Sequence, residues 1–542
     1  MSVGSLTHAA RPRAADERAG EARALLADRT LLVLGSLVVI AAFLRFYRLG
    51  HQGFWFDEGN TAQEVHFTVG QMLTLLKHYE STPPLYYGVA WVWAHVFGYG
   101  EVGLRSLSAL MGVLAVPVAY GAAAKLISRR AGLIAAALVT FNPYLIWYSQ
   151  EARAYSLAVL LAGAGLMAFA FARANPSWKA MAAWAVISGL ALTTEYYALL
   201  VVIPEALWLL YLHRRRRELW WSLAGLAVWT APLLWFAISQ NATGHASWIA
   251  PLPLGPRLGQ VIPQFLVGYG GPALTVMQRV AEATALVGIV LLFTRSDPRE
   301  RPGALVAGGI ALAGVVLNLL LIAGGVDDLI TRNAIELWMP AAIALAGGLA
   351  AARARAAGLV ATVVLCGIGV TMAGAVSFDR TLQRPDWRKL ARLLGERPPA
   401  GGRVLLVQRY RTLLPLSLYL PGLKFLPGLS IQPGEKVPPG LQHGSATARE
   451  FDVVAVQAPR VDLCWWGATC NLTPSHLETR YPVKGFRVLW RRSVYPFTVE
   501  RFVAVGGSST ITASQAWFGL GARPHIRSGG QVETGNEVLV QR

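Results

Sequence analysis

The chain has 542 residues, of which 54% belong to the apolar and aromatic set AVILMFWYC and only 15% are Asp, Glu, Lys or Arg, with a net charge of +19. An ordinary soluble domain reaches roughly 45–50% apolar even with glycine included, so a purely soluble protein is excluded, and the length accommodates a membrane bundle plus a separate domain. The basic excess forms no patch of the kind nucleic acid needs: Lys125, Arg129 and Arg130, then Arg173 and Lys179, Arg214 to Arg217, Arg295 to Arg301, and Arg353 and Arg355 fall in every second connection between apolar segments, the distribution of the positive-inside rule.

Eleven apolar segments follow one another, near residues 31–48, 104–124, 131–147, 154–172, 178–194, 196–212, 219–238, 276–293, 304–323, 334–351 and 357–376. Each approaches the roughly 20 residues that a helix needs to cross a bilayer. With the basic connections cytoplasmic, the loops at 49–103, 148–153, 239–275 and 324–333 lie outside, and an odd number of spans leaves the C-terminal region outside as well. The expected organisation is a cytoplasmic segment at 1–30, a transmembrane domain at 31–376 and an extracytoplasmic domain at 377–542. The polar residues before Leu31 and the lack of a small-residue cleavage pattern after it mark the first segment as a span rather than a cleaved signal. Arg45 and Arg48 near its far end are expected to snorkel to lipid headgroups.

From about Ser377 the texture changes. VLLVQ (404–408), FDVVAVQ (451–457) and RVLW (487–490) are short β-branched runs between Gly and Pro clusters, which predicts a small α/β domain. Cys464 and Cys470 are spaced to close a short loop there, while Cys366 falls inside a span. Asn241 and Asn471 head glycosylation-type triplets.

The loop at 49–103 concentrates the chemistry. WFDEGN (55–60) places Asp57 and Glu58 just after the first span. Val65, Val69, Met72, Leu73 and Leu76 then recur at helical spacing, predicting an amphipathic surface helix, with Thr61 and Glu64 as its capping box. ESTPPLYY (80–87) adds Glu80 ahead of two stiffening prolines and a run of interfacial aromatics. Exposed loops often carry acids for solubility alone, but three acids between a span, a surface helix and a proline turn form a compact outer-face group.

The order FWFDEGNTAQ, HYESTPPLYYGVAW, GEVGLRSLSALMG and WYSQEARAYSL, over about residues 40 to 200, resembles the polyprenyl-phosphate-sugar-dependent glycosyltransferases of the GT-C fold, glycosyltransferase family 39, which include protein O-mannosyltransferases and lipid A aminoarabinose transferases. The resemblance extends more weakly to ITRNAIELWMP (330–340) and RPDWRKLARLL (384–394). It implies a mainly α, GT-C polytopic bundle and an enzyme that moves one sugar, with inversion, from a polyprenyl-phosphate donor to a glycan, lipid or protein acceptor outside the inner (plasma) membrane. On that resemblance Asp57 is the general base, and Glu58 and Glu80 organise the acceptor, the base or a cation. Glu80 stands three residues before Pro83 where the aminoarabinose transferases have their acid two before, which weakens any transferred metal role. His51, His66 and His78 make no metal spacing, so no metal ligand set is assigned, and a divalent cation is left open as a cofactor.

A lipid phosphate calls for arginine, whose guanidinium holds two oxygens at once. Arg153 and Arg332 are the phosphate candidates, with Arg105 either joining them or bracing the loop acids, and Tyr155 and Gln150 helping by hydrogen bonds. For Arg153 the bland alternative is a local pair with Glu151. Glu195 lies at an outer helix end; Glu205, inside a span, is either functional or a packed, paired glutamate. The rival from another class is a transporter or lipid-linked sugar flippase, which Glu205 suits but the acid-rich outer loop does not.

Overall fold

The computed structural model describes residues 11–542 except 243–248, 399, 409–412, 427, 431–443, 457–482, 519–524, 527–531 and 535–536. Cys464, Cys470 and Asn471 lie outside the described residues. The N-terminal part is helical: α1 (Arg11–Phe46), α2 (Phe56–Glu64), α3 (Val69–Tyr79), α4 (Leu85–Phe97), α5 (Glu101–Leu126), α6 (Arg129–Phe141), α7 (Pro143–Ser149), α8 (Tyr155–Ala174) and α9 (Trp178–Thr194). It continues with α10 (Leu199–His213), α11 (Arg217–Asn241), α12 (Leu254–Val267), α13 (Leu274–Thr294), α14 (Arg301–Ala323), a 3-10 segment Thr331–Leu337, α15 (Trp338–Leu349) and α16 (Arg355–Phe378).

Eight of the described helices are long and apolar enough to cross a membrane, or nine if α6 and α7, bent by 59°, form one broken span. Every one of the eleven expected segments is helical, and three fall short as single spans for physical reasons. Pro143 follows the α6 C-cap Asn142 and starts a new helix, α9 stops at 17 residues, and the tenth segment opens as a 3-10 turn before the 12 residues of α15. The lipid-facing surface is plain on α11, where Trp221, Val228, Leu234 and Trp235 are exposed.

Small residues let the helices approach. A Cβ on Gly348 would stand 1.9 Å from the Gly288 carbonyl oxygen, and one on Gly303 would stand 1.8 Å from that of Leu126, so backbone meets backbone as membrane helices permit where side chains vanish. Of the two arginines expected to snorkel, Arg45 behaves otherwise. Arg45 is fully buried and donates to the Val139 and Thr140 carbonyl oxygens at 2.8 and 3.2 Å, tying α1 to the end of α6; Arg48 lies over the Phe378 ring. Carbonyls left open at a helix end need donors, and Arg45 supplies them inside the bundle.

The chain gathers its loops at two opposite ends. At one, Arg130 donates to the Arg355 carbonyl and the Arg353 amide to that of Arg295; these are the basic connections. At the other, the loops at 49–103, 148–153 and 324–333 meet one another and the C-terminal domain.

That domain begins with α17 (Trp387–Leu394), capped by the Asp386 carboxylate on the Lys389 amide at 3.1 Å. It contains α18 (Leu413–Ser417) and a six-stranded sheet ordered Lys424–Phe425, Glu537–Gln541, Arg403–Val407, Glu450–Val456, Phe497–Ala504, Phe486–Val494. Only the pairing of Arg403–Val407 with Glu450–Val456 is parallel within that sheet. The three runs read as strands from sequence fall in three of these strands. A mainly helical membrane bundle with a C-terminal α/β domain is therefore the fold.

Gly348→Ala should cost about 1–3 kcal/mol through overpacking against α13, read as a lower melting temperature in detergent. Gly367→Ala, where a Cβ meets nothing within 4 Å, should leave that temperature unchanged or raise it.

Candidate active site

The DE pair falls in the first turn of α2, where exposed amides favour carboxylates. Trp55 supplies no capping oxygen, so Glu58 closes the turn itself by accepting the Trp55 amide at 3.3 Å. The capping box expected at Thr61 and Glu64 is instead at Thr68 and Gln71, which start α3; Thr61 and Glu64 end α2 and are buried.

Glu58 has no exposed surface. Arg105 grips it with Nε on Oε1 at 2.7 Å and Nη2 on Oε2 at 2.6 Å, and the Ala152 amide adds a third bond at 2.9 Å. Burial opposes ionisation of this carboxyl, but the charge and hydrogen bonds of Arg105, helped by Arg384 and Ala152, hold it below the ordinary glutamate range. Arg105 spends its remaining donors on the carbonyls of Leu49, Gln52 and Gly53. It thus braces the loop and has no fork left for a phosphate.

Glu80, at the C-cap of α3, forms a two-bond fork with Arg153 at 2.8 and 3.0 Å. Arg153 also donates to the Tyr87 hydroxyl at 2.7 Å and to the Asp57 carbonyl at 3.4 Å. Its partner is Glu80 across the loop and not its chain neighbour Glu151. Burial again opposes the Glu80 charge and Arg153 outweighs it, holding the carboxyl low. Glu64 has no such partner: buried, and repelled by Glu80, it is pushed up to about 9.

Asp57 pairs with Arg332 at 2.7 Å, from the 3-10 segment before α15. This pair is the open one of the three, with 15% and 24% side-chain exposure against 0% for Glu58 and 4% for Glu80. Tyr155, Tyr148 and Tyr269 surround Arg332 within electrostatic reach; the Tyr148 and Tyr155 rings lie 4.5 Å apart, and the Tyr148 and Tyr269 hydroxyls touch. Gln150 is turned elsewhere, its amide donating to the Leu44, Arg45 and Tyr47 carbonyls at the end of α1.

A fourth pair was missed from sequence. Arg384 donates to Glu151 at 2.7 Å, with its guanidinium 3.9 Å from the Trp147 ring centroid and 5.8 Å from that of Trp55. Burial pushes Glu151 up to about 7 despite the Arg384 charge. The signal available was the basic RPDWRK run itself, but nothing in it names a partner more than 200 residues away. Glu336, four residues past Arg332, is also buried, with both carboxylate oxygens unbonded to side chains among the described residues. Glu205 accepts from Trp184 Nε1 at 2.8 Å within the bundle, remote from this cluster. Among the described residues no group of three or more His, Cys, Asp and Glu is placed to hold a metal.

Residues 81–238, which include Arg105, Arg153 and Tyr155, match the dolichyl-phosphate-mannose-protein mannosyltransferase family model. The chain is a membrane glycosyltransferase. No curated protein sequence matches it. Among solved structures it is similar to ArnT from Cupriavidus metallidurans bound to undecaprenyl phosphate, at 15% identity and a TM-score of 0.48, over 87% of this enzyme and 98% of that chain. It also resembles the mycobacterial arabinofuranosyltransferase AftD (17%, TM-score 0.44, 87% and 41%) and the Saccharomyces cerevisiae Pmt1–Pmt2 complex bound to its sugar donor (17%, TM-score 0.29, 41% and 33%).

A buried glutamate that holds its proton more tightly folded than unfolded loses stability as pH rises above the unfolded value, until its folded value is passed. For Glu64 that window runs from the ordinary 4.5 to about 9. Glu64→Gln should therefore melt above the wild type by a margin that grows from about pH 5 to about pH 8.

Proposed function

We propose that this enzyme transfers a single sugar from a polyprenyl-phosphate donor to an extracytoplasmic acceptor, with inversion and with Asp57 as general base. The carrying observation is the Asp57–Arg332 pair: of the three acids singled out in the loop, the one with an open carboxylate stands 2.7 Å from a guanidinium at the same bundle end. Base and phosphate-binding cation are thus side by side, as displacement at an anomeric carbon attached to phosphate requires.

In the reaction, an acceptor hydroxyl oxygen attacks the anomeric carbon from the face opposite the phosphate while Asp57 takes its proton. The carbon–oxygen bond to phosphate breaks, and its electron pair leaves on the polyprenyl phosphate. Only Nη1 of Arg332 is bonded to Asp57, so the same guanidinium can turn further N–H groups to the phosphate oxygens and stabilise the charge that collects there. Glu58 and Glu80 act through Arg105 and Arg153, holding the loop and the Asp57 backbone rather than meeting substrate. The first-loop end faces outward and the basic end the cytoplasm, with the chain in the inner (plasma) membrane.

Asp57→Asn should lower turnover by about 10²–10⁴-fold with donor binding retained, measured on purified enzyme with a panel of radiolabelled polyprenyl-phosphate sugars and an envelope extract as acceptor. Arg332→Gln should weaken donor binding by roughly 10- to 100-fold. Full activity in Asp57→Asn, or sugar crossing proteoliposomes without covalent transfer, would overturn the reading, the second in favour of a transporter.

A further inference from the structure

Four of the five residues before the catalytic turn, 50, 51, 53 and 54, have a backbone group taken up by a side chain more than 330 positions later, and the fifth, Gln52, is met through its side chain. Arg388 Nη2 donates to the Gly50 and His51 carbonyls at 2.8 and 3.1 Å. The Asp386 carboxylate that caps α17 also accepts the Gly53 amide at 3.2 Å, and the Arg384 amide donates to Gln52 Oε1 at 3.1 Å. The Tyr419 hydroxyl accepts the Phe54 amide at 2.7 Å and donates to Glu101 Oε1 at 2.9 Å. Arg388 Nη1 reaches the same Glu101 oxygen at 3.2 Å, so both clasping residues share an anchor at the start of α5.

Packing repeats the message. A Cβ on Gly53 would lie 2.9 Å from Arg388 Cβ and 3.0 Å from the Arg388 amide, and one on Gly59 would lie 3.2 Å from Leu414 Cγ. The first loop and the C-terminal domain are therefore in backbone-close contact on both sides of Asp57. Arg105 holds the same stretch from the bundle side through Leu49, Gln52 and Gly53.

We infer that Arg388 and Tyr419 of the C-terminal domain are positioning residues for the catalytic loop: through residues 50–54 they set where the Asp57 carboxylate stands relative to Arg332. This rests on the reading of Asp57 as base. Neither residue touches the Asp57–Arg332 pair, so their loss displaces the base without removing a phosphate cation. Misplacement of a reacting group by about 1 Å costs on the order of 10²-fold in rate, which makes turnover, not donor affinity, the sensitive quantity.

The test uses the full chain in detergent, with Tyr419→Phe, Arg388→Ala and Arg388→Lys. Tyr419→Phe and Arg388→Ala should each lower kcat by about 10-fold or more and leave the donor Kd within about twofold, with faster amide exchange over residues 50–58 and unchanged exchange in α5 and α8. Arg388→Lys, which keeps a charge for Glu101, should recover part of kcat. Unchanged exchange at 50–58, unchanged kcat, or kcat falling in step with donor affinity would overturn the inference. Failure of the underlying reading registers separately, as full activity in Asp57→Asn. The exchange measurement would then still decide the clasp, for it if protection at 50–58 falls and against it if it does not.

Discussion

An ionised carboxylate cannot stay buried at a membrane face without a cation, because its desolvation costs several kcal/mol. The first loop meets that requirement three times over. Glu58 takes Arg105, Glu80 takes Arg153 and Asp57 takes Arg332; each arginine comes from a different segment, so satisfying three charges also fixes three distances between elements. The fourth pair, Glu151 with Arg384, extends the same logic to the C-terminal domain. Removing one partner from such a pair leaves a stranded charge worth about 3–5 kcal/mol, and the loop's conformation is therefore as well determined as a helix packed in the bundle.

The pairs differ in what they leave free. Arg105 directs all its donors to Glu58 and three carbonyls, and both terminal nitrogens of Arg153 are engaged by Glu80, Tyr87 and the Asp57 backbone. Arg332 has one nitrogen on Asp57 and sits among tyrosines at a partly open surface. Of the three pairs, Asp57 with Arg332 is thus the most open to solvent.

How much of this was legible in the sequence follows from range. Apolar run length and basic punctuation located the eleven apolar segments, since both are local properties; α4 and α12, inside stretches read as outer loops, the break between α6 and α7 and the 3-10 opening before α15 were not located, because a bend at Asn142–Pro143 reads as continuous hydropathy. WFDEGN, ESTPP and SQEARAY marked the loop acids and Arg153 through composition and order. Who pairs with whom was hidden: Arg153 prefers Glu80, 73 residues back, to Glu151 beside it. Gln150 looked like a site residue by adjacency, yet its side chain faces the end of α1. Arg45 looked interfacial because a charge near a span end usually is, and only the α6 carbonyls waiting in the interior explain its burial.

The clasp also sets a timetable. Asp57 leaves the ribosome early, but Arg332 follows 275 residues later, the Asp386 partner of Gly53 lies 333 residues from it, and the Tyr419 partner of Phe54 lies 365 residues from it. At synthesis rates of about 5–20 residues per second, the interval before Arg332 alone is roughly 15–55 s. Arg105 and Arg153 arrive only 47 and 73 residues after their partners, so Glu58 and Glu80 can pair early while Asp57 waits, and the turn is completed only when the C-terminal domain docks onto it. A nascent chain that has not yet made that domain can hold its early helices and two of the three loop ion pairs while residues 50–54 still lack the groups that clasp them, so the shape of the loop is decided after that of the bundle.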